Sequence, residues 1–220
     1  FFPPVMTTQR HDVLDVNKIH FILASVRDPG EVVRELEALF HDHDLDRHTG
    51  RSFADHVEAI DTQSRFDPPD VIVIKRLLQR DLPADARSLF CQELFRRHVT
   101  DDIGAFADEL YMSVSQLETM TTAGHEVGSH GHNHVWLGAS SPDDQRYEIR
   151  QSVEFLRNSN LLRDDWTMCY PYGSYDRNTL DILAEAGCSI GVTTVPASVD
   201  PQDYRPLELP RLDTNDFPKA

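Results

Sequence analysis

Cysteine is scarce in this chain: Cys91, Cys169 and Cys188 are the only three in 220 residues. Their number is odd and no CxxC pair occurs, which excludes a disulfide framework and a thiolate zinc site and fits a reducing compartment. Long apolar runs are missing too. No stretch approaches the ~18 consecutive apolar residues a membrane helix needs, and no charged-then-apolar targeting segment opens the sequence, so no membrane span is expected and the location is read as cytoplasmic. Basic charge is short as well. Lys and Arg number 21 against 37 Asp and Glu, a formal net charge of -16, which disfavours nucleic acid and anionic membrane surfaces as partners. There is no internal repeat and no low-complexity tract.

What is present describes a soluble α/β protein. The chain is 40% hydrophobic with a mean hydropathy of -0.45, and its length allows one large domain or two small ones. Phe1 to Met6 reads as the end of a strand stopped by Pro3 and Pro4, which cannot donate ladder hydrogen bonds. From Asp15 to Tyr111 the pattern is helical; in "GEVVRELEALF", Val32, Val33, Leu36, Leu39 and Phe40 fall at helical spacing. After Ser113 the rhythm changes. A serine-capped helix closed by Gly124 leads to a short strand "HEVGSH", then a long amphipathic helix from "SPDDQRYEIRQSVEFLRNS", a strand "WTMCYPYG", a helix "DRNTLDILAEAGC" and a strand "SIGVTTV". Such alternation predicts parallel strands.

Four of the eleven histidines lie in "GHEVGSHGHNHVWL": His125, His130, His132 and His134. In a straight strand His130 and His134 would stand ~13 Å apart, whereas zinc, with bonds of ~2.0–2.1 Å, needs its donors within ~4 Å of one another. A turn after Ser129 would bring positions i and i+4 onto one face, and Gly131 and Asn133 permit one. A pair of His130 with His132, or of His132 with His134, stays open at this point. His125 begins the strand and is read as structural.

These residues resemble the NodB-homology polysaccharide deacetylases, carbohydrate esterase family 4. "AGHEVGSH" through His134 is similar to that family's second motif, "CYPYGSYD" to its third and "LELPRLDTNDF" to its fourth region, so the resemblance spans Ser113 to Phe217. It implies a divalent metal, zinc above all, on His130 and His134 but not His132. It implies a backbone oxyanion donor at Tyr172 and a site walled by Pro171, Tyr172 and Gly173, with Arg211 and Asp213 nearby. Trp136, with Tyr170 and Tyr172, is a candidate sugar-stacking face, with core packing the commoner role for aromatics so placed. The implied fold is a distorted (β/α) barrel with metal at the carboxyl ends of its strands, here partial, in a single domain 1–220 that carries a large helical insertion over 13–112. That insertion is expected to cover the site or to form a homo-oligomer.

The implied activity is hydrolysis of N-acetyl groups from an amino-sugar-containing polysaccharide or a glycolipid or lipopolysaccharide precursor, with an N-acetylated saccharide as substrate. Four departures bear on it. The first motif, TFDDG, which supplies a base aspartate and a third ligand, has no counterpart, and neither does the final LxxH with its general-acid histidine; both are expected to flank this chain. Cys169 stands where the third motif has arginine, and Gly131 where the second has serine or threonine. A decayed deacetylase-fold protein that binds carbohydrate or a partner is the first alternative. The second is a hydrolase of another small-molecule C–N bond. A third candidate, "HDHDLDRH", sets His41, His43 and His48 beside Asp42, Asp44 and Asp46, resembling the His-Asp dyads of phosphohydrolases; a solvated helix end is the preferred reading there.

Overall fold

Side chains that accept from free N–H groups open five of the described helices. In the computed structural model, which describes residues 1–64 and 67–217, the helices in chain order are α1 (Val5–Gln9), α2 (Asp15–Ser25), α3 (Pro29–Asp42), α4 (Leu45–Thr49), α5 (Phe53–Glu58), α6 (Pro69–Arg76), α7 (Ala84–His98), α8 (Ile103–Leu110), α9 (Val114–Thr122), α10 (Pro142–Asn158) and α11 (Arg177–Glu185). Asp28 caps α3, Ser113 caps α9 in a reciprocal box with Gln116, Ser141 caps α10 and Asp176 caps α11. These are the polar entries legible in the sequence. Two compact units result: Asp12–Ala107, and Phe1–His11 together with Asp108–Ala220.

The first unit is helical, as the periodicity predicts. Val32, Leu36, Leu39 and Phe40 of α3 are buried on one stripe, and α2 packs against α7 around Ile19, Ile22, Phe90, Leu94 and Phe95. A π-turn, Leu77–Asp81, continues α6 and buries Leu77 and Leu78. None of the described helices is long and apolar enough to cross a membrane.

The second unit is built on short parallel segments. β1 (Thr167–Cys169) pairs with β2 (Ile190–Val192) in parallel, Thr167 opposite Ile190 and Cys169 opposite Val192. Single parallel bridges add Ser129 beside Met168 on one side and Leu209 beside Val192 on the other. Phe1 extends the row: its amino group donates to the Glu126 carbonyl at 2.6 Å, and Gly128 N–H donates to the Phe1 carbonyl at 2.8 Å. The order is therefore Phe1, 126–129, β1, β2, Leu209. α10 connects the second segment to β1, and α11 connects β1 to β2. Gly128 is required by this closeness, since a Cβ there would sit 2.5 Å from Thr167 Oγ1 and 2.6 Å from the Phe2 ring.

Trp166, Met168 and Tyr170 alternate onto one face and pack with Leu137, Ile149, Val153, Ile182 and Leu183. A second cluster joins Val5, Leu117, Val127, Phe155, Leu156 and Leu161. One sequence expectation needs correction. Phe1 to Met6 is not a strand end throughout: pairing stops at Phe1, and α1 begins at Val5 with Pro4 as its N-cap, because a fixed proline φ also suits helix entry. The segments form an open row with two strands, and no closed barrel occurs among the described residues.

Candidate metal and oxyanion site

Each candidate site residue follows the carboxyl end of one of these parallel segments, where loops of α/β sheets form sites. The chain leaves the sheet at Ser129, whose Oγ lies 2.7 Å from Ser152 Oγ of α10 and accepts from Gly131 N–H at 3.3 Å. It then turns through two left-handed residues, Gly131 at φ +73° and His134 at φ +59°. From one side α1 spends its free first-turn donors on the loop: Val5 N–H on the Gly131 carbonyl at 3.3 Å and Met6 N–H on the His132 carbonyl at 3.0 Å. From the other side, Glu148 of α10, 3% exposed, accepts from the backbone N–H of His132 at 2.9 Å and of Asn133 at 2.8 Å, and from Asn133 Nδ2 at 2.6 Å.

This turn brings the His130 and His134 rings together, with centroids 4.8 Å apart. His132 points elsewhere, edge-on to Tyr147 at 5.8 Å. His125 is exposed and lies edge-on to Phe1. His130 Nδ1 lies 2.6 Å from the Cys169 carbonyl oxygen. A carbonyl can only accept, so Nδ1 carries the proton and Nε2 keeps its lone pair, which is the arrangement a metal ligand needs. Burial lowers the His130 pKa, opposed by the Cys169 hydrogen bond and aided by the Arg211 charge. Burial, with His130 beside it, takes His134 down to about 3. His134 Nδ1 is itself buried and finds no partner outside its own residue among the described residues.

After β1, Pro171–Gly173 makes one tight turn with Tyr172 at φ +57° and Gly173 at φ +67°. A Cβ on Gly173 would overlap the Thr194 side chain. The Tyr172 ring stacks on Trp136, centroids 4.5 Å apart and planes 6° from parallel, and lies 4.6 Å from His134 at a steep angle. Arg211, just past Leu209, reaches Cys169 Sγ with Nη1 at 3.5 Å. An arginine from a neighbouring segment thus approaches the cysteine that stands at the third-motif arginine position. Asp213 is exposed and takes the Asp216 carboxylate on its backbone N–H at 2.9 Å. Of the candidate stacking residues, Tyr170 takes the packing role: 2% exposed, it donates its hydroxyl to the Leu207 carbonyl at 2.7 Å and stacks on Tyr175.

The residues fit a metal in part. Two neutral imidazoles face each other, one with its tautomer fixed, but no third His, Cys, Asp or Glu joins them among the described residues. The "HDHDLDRH" segment gathers no ligand set either: α3 ends at Asp42, Asp44 turns at φ +50°, and His41, His43 and His48 are exposed. Sequence reasoning missed Glu148, Ser152 and the α1 donors. Only the last carries a sequence signal, the Pro-Pro entry to a helix.

The loop thus sets two histidines beside a Pro-Tyr-Gly turn at the carboxyl ends of parallel segments. The family described as Polysaccharide deacetylase matches residues 98–191. The resemblance read from the histidine motif is borne out over that stretch. YxkH of Bacillus subtilis (strain 168), provisionally named a polysaccharide deacetylase, is 28% identical over 89 residues, 40% of this chain and 31% of that protein. The chain therefore spans about a third of the curated relative it matches. Among solved structures, the Streptococcus pyogenes deacetylase PplD in complex with acetate is 30% identical, covering 46% of this chain and 44% of that one with a TM-score of 0.43. The deacetylase domain of BpsB from Bordetella bronchiseptica is 22% identical, covering 46% and 48% with a TM-score of 0.40.

Proposed function

We propose that this chain carries the metal-binding and oxyanion-binding loops of a metal-dependent hydrolase that removes N-acetyl groups from an amino-sugar-containing polysaccharide or a glycolipid or lipopolysaccharide precursor. The observation that carries the reading is the facing pair His130 and His134 beside the Pro171–Gly173 turn, inside the stretch matched by the deacetylase family. A divalent ion, zinc being well suited to imidazole donors, would polarise the acetamide carbonyl and lower the pKa of a bound water.

The chain's own residues do the rest of what is assigned here. His130 offers Nε2 because Cys169 holds its Nδ1 proton. Tyr172 offers its backbone N–H to the developing oxyanion, a donor worth ~2.7–4 kcal/mol in such sites. Pro171, Gly173 and the Trp136–Tyr172 pair wall the saccharide, with Arg211 and Asp213 as outer contacts. The fold is read as part of a distorted barrel in a single domain interrupted by the helical insertion 13–112, which is the candidate homo-oligomer contact.

One observation favours a second reading, a decayed carbohydrate-binding scaffold: no third His, Cys, Asp or Glu joins the two histidines among the described residues. Zinc content after dialysis and acetate release from N-acetylated oligosaccharides, on the wild type and on H130A/H134A, test both. Zinc and acetate release that disappear together in the variant support the hydrolase. Saccharide binding without release supports the scaffold, and zinc indifferent to the variant sinks the metal site.

A further inference from the structure

We infer that Glu148 is the positioning residue of the histidine loop, a buried carboxylate that sets His130 and His134 to face one another before any metal arrives. The inference rests on the two-histidine reading above. Its ground is the hydrogen-bond inventory of one side chain. Glu148 lies on α10, sixteen residues after His132 in the chain, and is 3% exposed. An unpaired carboxylate in such a place would be strongly disfavoured, and no ion pair of Glu148 occurs among the described residues.

It is satisfied by the loop instead. Oε2 takes the N–H groups of His132 and Asn133, and Oε1 takes the Asn133 side-chain amide. Hydrogen bonds to an ionised acceptor are the stronger kind, and all three end on the two residues between Gly131 and His134. Those flanking residues are the two that adopt left-handed backbone angles. A segment with φ +73° and φ +59° three residues apart holds such a shape only when its surroundings determine it. Gly131 lies against the same carboxylate, where a Cβ would stand 3.4 Å from Glu148 Oε2, and its φ of +73° is one that glycine adopts without strain. The serine or threonine hydroxyl that the resemblance leads one to expect at 131 is thus replaced, as a brace, by a carboxylate from the following helix.

The test uses Glu148→Met, close in volume but without acceptors, and Glu148→Gln, whose amide oxygen can still take both backbone N–H groups. Zinc affinity is measured by competition with a chelator, and amide exchange of residues 131–134 is measured in the metal-free chain. E148M is expected to bind zinc ~10–100-fold more weakly, the usual effect of removing an outer-shell partner. Its 132 and 133 amides are expected to exchange faster while α10 exchange is unchanged, and E148Q should recover most of both. Should E148M fail to fold, Asn133→Ala removes one donor of the three and is expected to weaken zinc binding by a smaller factor. Zinc that binds E148M or N133A as it binds the wild type, or loop amides unaffected by either change, overturns the inference alone. Zinc that fails to bind the wild type overturns the metal reading on which the inference rests, and the exchange result still decides whether Glu148 orders the loop.

Discussion

Trp136 and Tyr172 lie face to face, 4.5 Å between centroids and 6° from parallel, although 36 positions separate them in the chain. The stack ties the end of the histidine loop to the Pro-Tyr-Gly turn, and Tyr172 passes the contact on to His134. W136A should therefore cost about 2–3 kcal/mol of unfolding free energy, from lost burial and the aromatic pair. W136F should retain most of it. Urea melts of the two variants measure the difference, and equal losses would show that the stacking geometry is immaterial.

Gly173 combines φ +67° with an absent Cβ that would overlap Thr194. G173A should destabilise by about 2–4 kcal/mol through strain and overlap together. Adding T194A removes the overlapping atoms and should return part of the loss, leaving the backbone strain. A double-mutant cycle measures the coupling, and strictly additive changes would deny the contact.

Stability should fall on acidification in a way that depends on His134. Its folded pKa of about 3 lies below the ~6.5 of an unfolded histidine. Between those values the unfolded chain binds a proton that the folded chain refuses, so stability is full above about pH 6.5 and is lost as pH falls toward 3. His130, lowered mainly by its burial, acts in the same direction. Going from pH 7 to pH 5 should cost the wild type about 1–2 kcal/mol more than it costs His134→Gln. Denaturant midpoints at the two pH values check this, and parallel declines would contradict it.

Zinc should raise the melting temperature of the wild type. At a free concentration a hundred times its Kd the ion adds ~2.7 kcal/mol to the folded state, and a chelator should reverse the shift. H130A should abolish the response. Differential scanning calorimetry with and without zinc reads it, and a persistent shift in H130A would place the ion elsewhere.

Much of this arrangement is legible in the sequence because its causes are local. Ser113, Ser141 and Asp176 announce their helices, and Gly131 announces the turn that folds His130 toward His134. Other features depend on partners far along the chain. Phe1 pairs with a segment 125 positions away, and nothing in Phe-Phe-Pro-Pro says where a strand ends and a helix starts. Glu148 looks like one more charge on an amphipathic helix. Yet Gln145, Glu148 and Ser152 sit with Ile149 and Leu156 on the buried side of α10, since each meets a polar partner there: Ser140 and Thr179 for Gln145, the histidine loop for Glu148 and Ser129 for Ser152. Tyr170 reads as a neighbour of the Pro-Tyr-Gly turn, but strand alternation sends its ring into the core.

His130 gives its Nδ1 proton to a carbonyl of β1, outside its own loop. The donor atom it keeps for a metal is therefore indexed to the alignment of two neighbouring segments. Sliding the 126–129 segment by one residue along β1 would withdraw the Cys169 carbonyl, release the imidazole to either tautomer and turn the lone pair away. In this chain the register of a short parallel pairing acts as the setting gauge for the chemistry, and substitutions at the sheet positions around Ser129 and Met168 should register first as changes in metal affinity.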